Sequence, residues 1–132
     1  MTNSNLGVAR RHLDAIASAV SGDDLAKFFA PGMTIEEKPN RIYAKGQTRE
    51  VRAMLEGHEK GKQLLRRQSY TVVDAAVEGD RVALQVVWEG VLAVPLGNLA
   101  PGATMRAFSA MFLTFKDGKV AHQVNYDCFE PF

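Results

Sequence analysis

The sharpest periodicity in the chain lies near its end, where Lys119-Val-Ala-His-Gln-Val-Asn-Tyr-Asp127 alternates between two faces. Val120, His122, Val124 and Tyr126 fall on one face, and Ala121, Gln123, Asn125 and Asp127 on the other. A half-buried strand sets an apolar face against a solvated one. Here the polar face carries amides and a carboxylate but no Lys or Arg, a selection that suits a cavity wall better than open water.

Upstream, the period is first helical. Ala9, Leu13, Ile16 and Val20 share a face over residues 5–21, with Asn3, Ser4 and Asn5 as candidate N-caps. Ser21-Gly22 ends this helix, and Asp23 or Asp24 caps a short second one, Leu25–Phe29, stopped by Pro31-Gly32. A short strand follows over Met33–Lys38. Thr48 then caps a helix from about Arg49 to Leu65, weakened by Gly57 and Gly61.

From Gln68 the period becomes two. Strands are predicted over Gln68–Val77 and Arg81–Glu89, then as a hairpin, Met105–Phe115 and Val120–Asp127, turning at Asp117-Gly118. Residues 90–104 hold two prolines and three glycines and read as a loop. Residues 91–103 are nonetheless apolar, which predicts a mobile lid closing over a cavity mouth with Phe28 and Phe29. Burial against a second copy is the alternative. Helices first and antiparallel strands after them give an α+β domain, its helices packed on one face of a curved sheet.

Composition narrows the function classes. A chain of 132 residues without linker or repeat is one domain, 1–132. With 16 basic and 15 acidic side chains the formal charge is +1, which leaves no electrostatic footprint for nucleic acid or an anionic membrane. Lys60, Lys62, Arg66 and Arg67 cluster at a helix end, where cations oppose the dipole, and read as a solvated group. The single Cys128 excludes an intrachain disulfide. No apolar stretch approaches the ~20 residues of a membrane span, and the N-terminus lacks a basic-then-apolar signal layout, so a soluble cytoplasmic protein is expected. The His and acidic residues show no metal-ligand spacing, and neither a phosphate loop nor Gly-x-Ser-x-Gly occurs. Neither metal nor cofactor is expected.

Three stretches carry a family resemblance: Arg11-His-Leu-Asp-Ala-Ile16, Leu25-Ala-Lys-Phe-Phe-Ala-Pro-Gly-Met-Thr-Ile-Glu-Glu37, and Phe115-Lys-Asp-Gly-Lys-Val120 leading into a strand with a late Asp. In these, and in element order throughout, the chain resembles the nuclear transport factor 2-like superfamily, within it the SnoaL-like and ketosteroid-isomerase-like group. The resemblance implies a cone, in which a strongly bent sheet wraps the helices around a pocket. It turns Leu84, Val86 and Trp88 inward, with Ala107, Ser109, Met111 and Leu113 on the next strand and Gln123, Asn125 and Asp127 on the last. It also implies a homodimer through the outer sheet face, formed here by Val120, Val124, Tyr126, Phe108, Ala110 and Phe112.

Fold does not settle reaction in such a group. Ketosteroid isomerases resemble this chain but use a first-helix Tyr, a base carboxylate and a protonated Asp on a middle strand. Those positions fall here at His12, Glu37 and near Met111. A thioether cannot donate to an oxyanion, so that isomerase activity is not expected. SnoaL-like cyclases use a late-strand Asp as general acid/base, which implies Asp127. Limonene-epoxide-hydrolase relatives need an Asp–Arg–Asp set, and strand parity turns the candidate Arg106 away from Ser109 and Met111.

The expected catalytic set is therefore Asp127, His12 and Glu37, with Glu36 leaving the facing of Glu37 open. A carboxyl beside Trp88 and Met111 in an apolar cavity would be raised toward neutrality. His12 and Asn125 would be hydrogen-bond partners for a developing enolate. Asn125, Gln123, Trp88, Ser109, Met111 and Phe28 are the expected substrate contacts, and Tyr43 a further wall. The competing view makes Asp127 a strand-end cap and His12 a structural residue. The expected function is a cofactor-independent isomerase, cyclase or dehydratase moving a proton on a small apolar carbonyl compound. The alternative is a non-catalytic module binding a hydrophobic ligand.

Overall fold

The Ser4 hydroxyl accepts the Gly7 N–H at 3.0 Å and so starts helix α1, Asn5–Ala17, in a computed structural model that describes residues 4–132. Of the other two candidate caps, Asn5 is the first residue of the helix and Asn3 lies outside the described residues. The helix is shorter than its apolar stripe predicts. Ala19 takes a left-handed φ of 61° and the Val20 N–H reaches back to the Ala15 carbonyl, a bond that closes the helix while leaving Val20 packed on the core. Helix α2, Gly22–Ala26, has Asp23 and Asp24 in its first turn, where carboxylates favour the dipole without a side-chain cap bond.

Strand β1, Phe29–Glu37, runs through Pro31-Gly32 instead of starting after it. The pair sits in a register shift between Phe29 and Thr34, and β2 pairs only from Thr34 onward, so Pro31 denies the sheet no ladder bond. Strand β2, Gln47–Glu50, takes the residues expected to open the long helix, and Thr48 pairs with Glu36 instead of capping. Helix α3 is Val51–Leu64.

Strands β3, Leu65–Glu78, β4, Arg81–Leu92, β5, Thr104–Lys116, and β6, Lys119–Phe129, complete a curved, unclosed sheet in the order β2-β1-β6-β5-β4-β3. All neighbours are antiparallel except β1 and β6, which pair in parallel, a departure from the uniformly antiparallel sheet expected. Bulges at Leu65/Arg67, Val72/Asp74 and Thr114/Phe115 bend the strands. The concave face holds α1 and α3, and between them lies a core including Leu13, Leu25, Met33 and Leu113. No helix among the described residues is long and apolar enough to cross a membrane.

The bulge after Thr114 places Val120 opposite Phe115 and leaves Ala121 as the extra residue. Val120 is thereby fully buried in the core and does not belong to the outer face. Residues 93–103 join β4 to β5 with prolines outside the strands. They do not meet Phe28 and Phe29. Leu96 and Leu99 pack instead with Leu92, Met105 and Phe132 in a second small core, apart from the one containing Phe28 and Phe29.

Candidate functional site

Inward-facing residues of β1–β6, with α1 and α3, enclose a cavity of about 270 Å³. Its polar wall comes from strand parity. β6 turns Gln123, Asn125 and Asp127 inward, and β5 places Leu113, Met111 and Ser109 opposite them. The remaining wall is largely apolar, with Met33, Ile35, Met54 and Leu65 among its residues.

Asp127 accepts a hydrogen bond from the Ser109 hydroxyl. Burial raises its carboxyl above the usual range, the Ser109 bond counters this, and the nearby Glu37 charge raises it further. Glu37 projects into the same cavity while Glu36 turns out toward Lys38, so the facing is settled by pairing. Glu37 is not a free carboxylate. One oxygen takes both the Arg49 guanidinium and the Gln47 amide, the latter at 3.0 Å.

His12 is buried, and its Nδ1 lies 2.6 Å from the Ala9 carbonyl one turn back. A carbonyl only accepts, so Nδ1 carries the proton and Nε2 is left as an acceptor. Desolvation lowers the His12 pKa to about 4, opposed by its bonds to Ala9 and Gln123. Gln123 Nε2 also donates to Asn125 Oδ1 at 2.9 Å. Gln123 consequently fixes the Asn125 amide through its oxygen and leaves the Asn125 NH₂ group out of that bond.

Trp88 lies at the other end of the wall, its Nε1 donating to Gln68 at 2.9 Å and its ring edge-on to Phe129. Gly90 makes room for it, since a Cβ there would come within 2.6 Å of the indole. This packing explains why β4 continues through a glycine predicted to end it. Tyr43 also lines the cavity. Phe28 does not: it packs beside His12 from outside, and its neighbour Phe29 takes the lining position. Arg106 points away, paired with Glu89 and Glu130.

Among the lining residues that were not anticipated, two are polar groups beside Glu37 and Asp127. Tyr70 faces inward from β3, its phenol pushed up by burial and then by Asp127 and Glu37. The alternation Gln68, Tyr70, Val72 carried that signal. Arg49 faces inward from β2, and nothing in Gln47-Thr-Arg-Glu50 marks a strand, because all its side chains are polar. Among the described residues, no group of three or more His, Cys, Asp or Glu is placed to hold a metal.

Residues 9–123 match the SnoaL-like domain. The chain belongs to the SnoaL-like family. No curated protein matches this SnoaL-like chain in sequence. Solved structures share its fold. IdmH from Streptomyces antibioticus, provisionally assigned as a polyketide cyclase, superposes with a TM-score of 0.79 at 18% identity, covering 95% of this chain and 92% of that one. AclR from Streptomyces galilaeus, provisionally assigned as a hydroxylase, gives 0.77 at 17%, covering 96% and 80%. A provisionally assigned SnoaL-like polyketide cyclase from Jannaschia sp. CCS1 gives 0.73 at 20%, covering 96% and 90%. At such identities the likeness speaks to fold alone, and the SnoaL-like domain has a nuclear transport factor 2-like cone.

Proposed function

We propose that this SnoaL-like domain is an enzyme that moves a proton next to the carbonyl of a small, largely apolar molecule, as in isomerisation, cyclisation or dehydration. The observation that carries this is Asp127: a cavity-facing carboxyl, bonded to Ser109 and raised by burial, so that both its forms are accessible closer to neutral pH than in an ordinary Asp. Ionised, it takes a proton from the carbon beside the carbonyl. The electron pair moves onto the carbonyl oxygen, where the Asn125 NH₂ donates. Asp127 then returns the proton at a different atom.

His12 is a positioning residue in this scheme. With Nδ1 committed to Ala9, the buried ring supports Gln123, which bonds Asn125, and does not donate to the enolate itself. Glu37, tied to Arg49 and Gln47, is not the base in this scheme. The cyclase assignments of similar folds agree with the reaction class.

The test is solvent exchange. Deuterium uptake at the carbons flanking the carbonyl of 2-tetralone, followed by NMR in D₂O, should be catalysed by the wild type. Asp127→Asn should lower the rate by ~10²–10⁴-fold, the usual share of general acid/base catalysis. An unchanged rate defeats the assignment. Binding of the ketone without catalysed exchange would favour the second reading, a hydrophobic-ligand module, which the apolar walls also suit. The domain would act as a homodimer through its outer sheet face, and its exposed free Cys128 suits a reducing cytoplasm.

A further inference from the structure

The cavity meets solvent beside Tyr43. Of the lining residues this one is exposed, at 38%, and the rest are buried or half-buried. Tyr43 belongs to the loop of residues 38–46 between β1 and β2. Leu65, Trp88 and Phe129 line the cavity as well, and all three pack on the small core of Leu92, Met105 and Phe132. Phe129 stands between Trp88 and Phe132, with ring centroids 6.3 and 6.0 Å away.

One contact joins that loop to that core. The Arg41 guanidinium lies 4.4 Å from the centre of the Phe132 ring and donates to the same residue's main-chain oxygen. Among the described residues, the other hydrogen bonds of residues 39–46 stay within the loop. Asn40 Oδ1 accepts from the Ile42 and Tyr43 N–H groups, and the Tyr43 carbonyl from those of Asn40 and Gly46. Phe132 is buried, and Gly97 closes on its main chain so tightly that a Cβ there would come within 2.7 Å. Phe132 is therefore the fixed half of the contact and the exposed Arg41 the movable half.

We infer that the Arg41–Phe132 contact is a clasp at the cavity mouth, which opens to let substrate in and product out. Release frees the loop carrying Tyr43 from the wall carrying Phe129. The inference rests on the cavity being the substrate site, as proposed above. Neither Arg41 nor Phe132 lines the cavity, so the clasp sets rates of passage and not affinity.

Trp88 is the chain's single tryptophan, so its fluorescence reports 2-tetralone entering the cavity. Stopped-flow mixing gives association and dissociation rates for wild type, Arg41→Ala and Arg41→Lys. Arg41→Ala should raise both by roughly 5- to 30-fold, as expected for losing one charged hydrogen bond and one exposed cation–π contact. Kd should stay within about threefold. Lysine keeps the charge without the planar guanidinium, so Arg41→Lys should fall between the two. Hydrogen exchange at the Glu130 N–H, which bonds the Arg106 carbonyl, should stay as slow in Arg41→Ala as in wild type. Faster exchange there would mean that the small core itself had loosened. Unchanged rates, a weaker Kd at an unchanged association rate, or faster exchange at Glu130 each overturns the clasp and leaves the cavity reading standing. Failure of 2-tetralone to bind wild type overturns the cavity reading and the clasp with it.

Discussion

Burial penalises whichever form of a group is charged, so one cavity pushes His12 down and Asp127 up. The consequences for stability have opposite signs. Between about 4 and 6.5 the unfolded chain binds a proton that folded His12 refuses, so stability rises with pH across that window and is fully present above it. The contribution is about 3 kcal/mol. Asp127 acts the other way: its folded form holds a proton longer than the unfolded chain does, so stability falls as pH rises from ~4 through its raised pKa. His12→Asn keeps a donor for Ala9 and should flatten the loss of melting temperature between pH 6.5 and 4. Asp127→Asn should melt no lower than wild type at pH 7 while losing proton exchange. Melting curves at pH 7, 5.5 and 4 check both, and a steeper acid loss in His12→Asn would contradict the buried neutral imidazole. Much of this site was legible because β6 alternates cleanly: fixing the parity of one strand placed Gln123, Asn125 and Asp127, and its partner strand then placed Ser109 and Met111. The tautomer of His12 was not legible, since it depends on a carbonyl one turn away that only folding brings into line.

Elements fail to show in sequence where pairing, not pattern, creates them. β2 is four polar residues whose strand character comes from β1 alongside, so Arg49 was assigned to a helix and its inward position beside Glu37 went unseen. β1 crosses Pro31-Gly32 because a bulge and a missing neighbour absorb the proline, and β4 crosses Gly90 because Trp88 needs the space. Helices α1 and α3 and the Asp117-Gly118 hairpin were legible because their signals are local; Asp117 and Gly118 both take positive φ, as a two-residue turn requires. α3 also offers a matched pair of substitutions. Gly61 faces open space, and Gly61→Ala should stabilise the helix by about 1 kcal/mol, raising the melting temperature by roughly 3 °C. Gly57→Ala gains the same propensity but drives its Cβ into the Arg49 guanidinium. It should gain less stability and shift the Arg49 Nε–H resonance, which Gly61→Ala should leave in place. Identical behaviour of the two variants would mean that Arg49 does not rest on Gly57.

The whole molecule uses its two sheet faces differently. The concave one is the cavity wall, while the convex one leaves Phe108, Phe112 and Tyr126 about half exposed, with Phe112 and Tyr126 edge to face at 5.9 Å. Pairing of Phe108 with Cys128 and of Ala110 with Tyr126 makes these residues one continuous surface, not scattered single exposures. Contiguous apolar area of this kind marks an interaction surface, and with a net charge of +1 there is little repulsion to hold two copies apart. Strand parity had identified this face, Val120 excepted, because a one-residue bulge reverses every side chain beyond it. Light scattering at micromolar concentration is expected to give twice the chain mass. Phe112→Glu places a carboxylate in the middle of this exposed patch without touching the cavity, so it should halve that mass and leave 2-tetralone exchange within about twofold of wild type, since desolvating an unpaired charge at an interface costs several kcal/mol. A wild-type monomer would refute the interface outright. A Phe112→Glu variant that stays dimeric would move it to another surface, and one that becomes monomeric and loses exchange would show that the cavity depends on the partner's support.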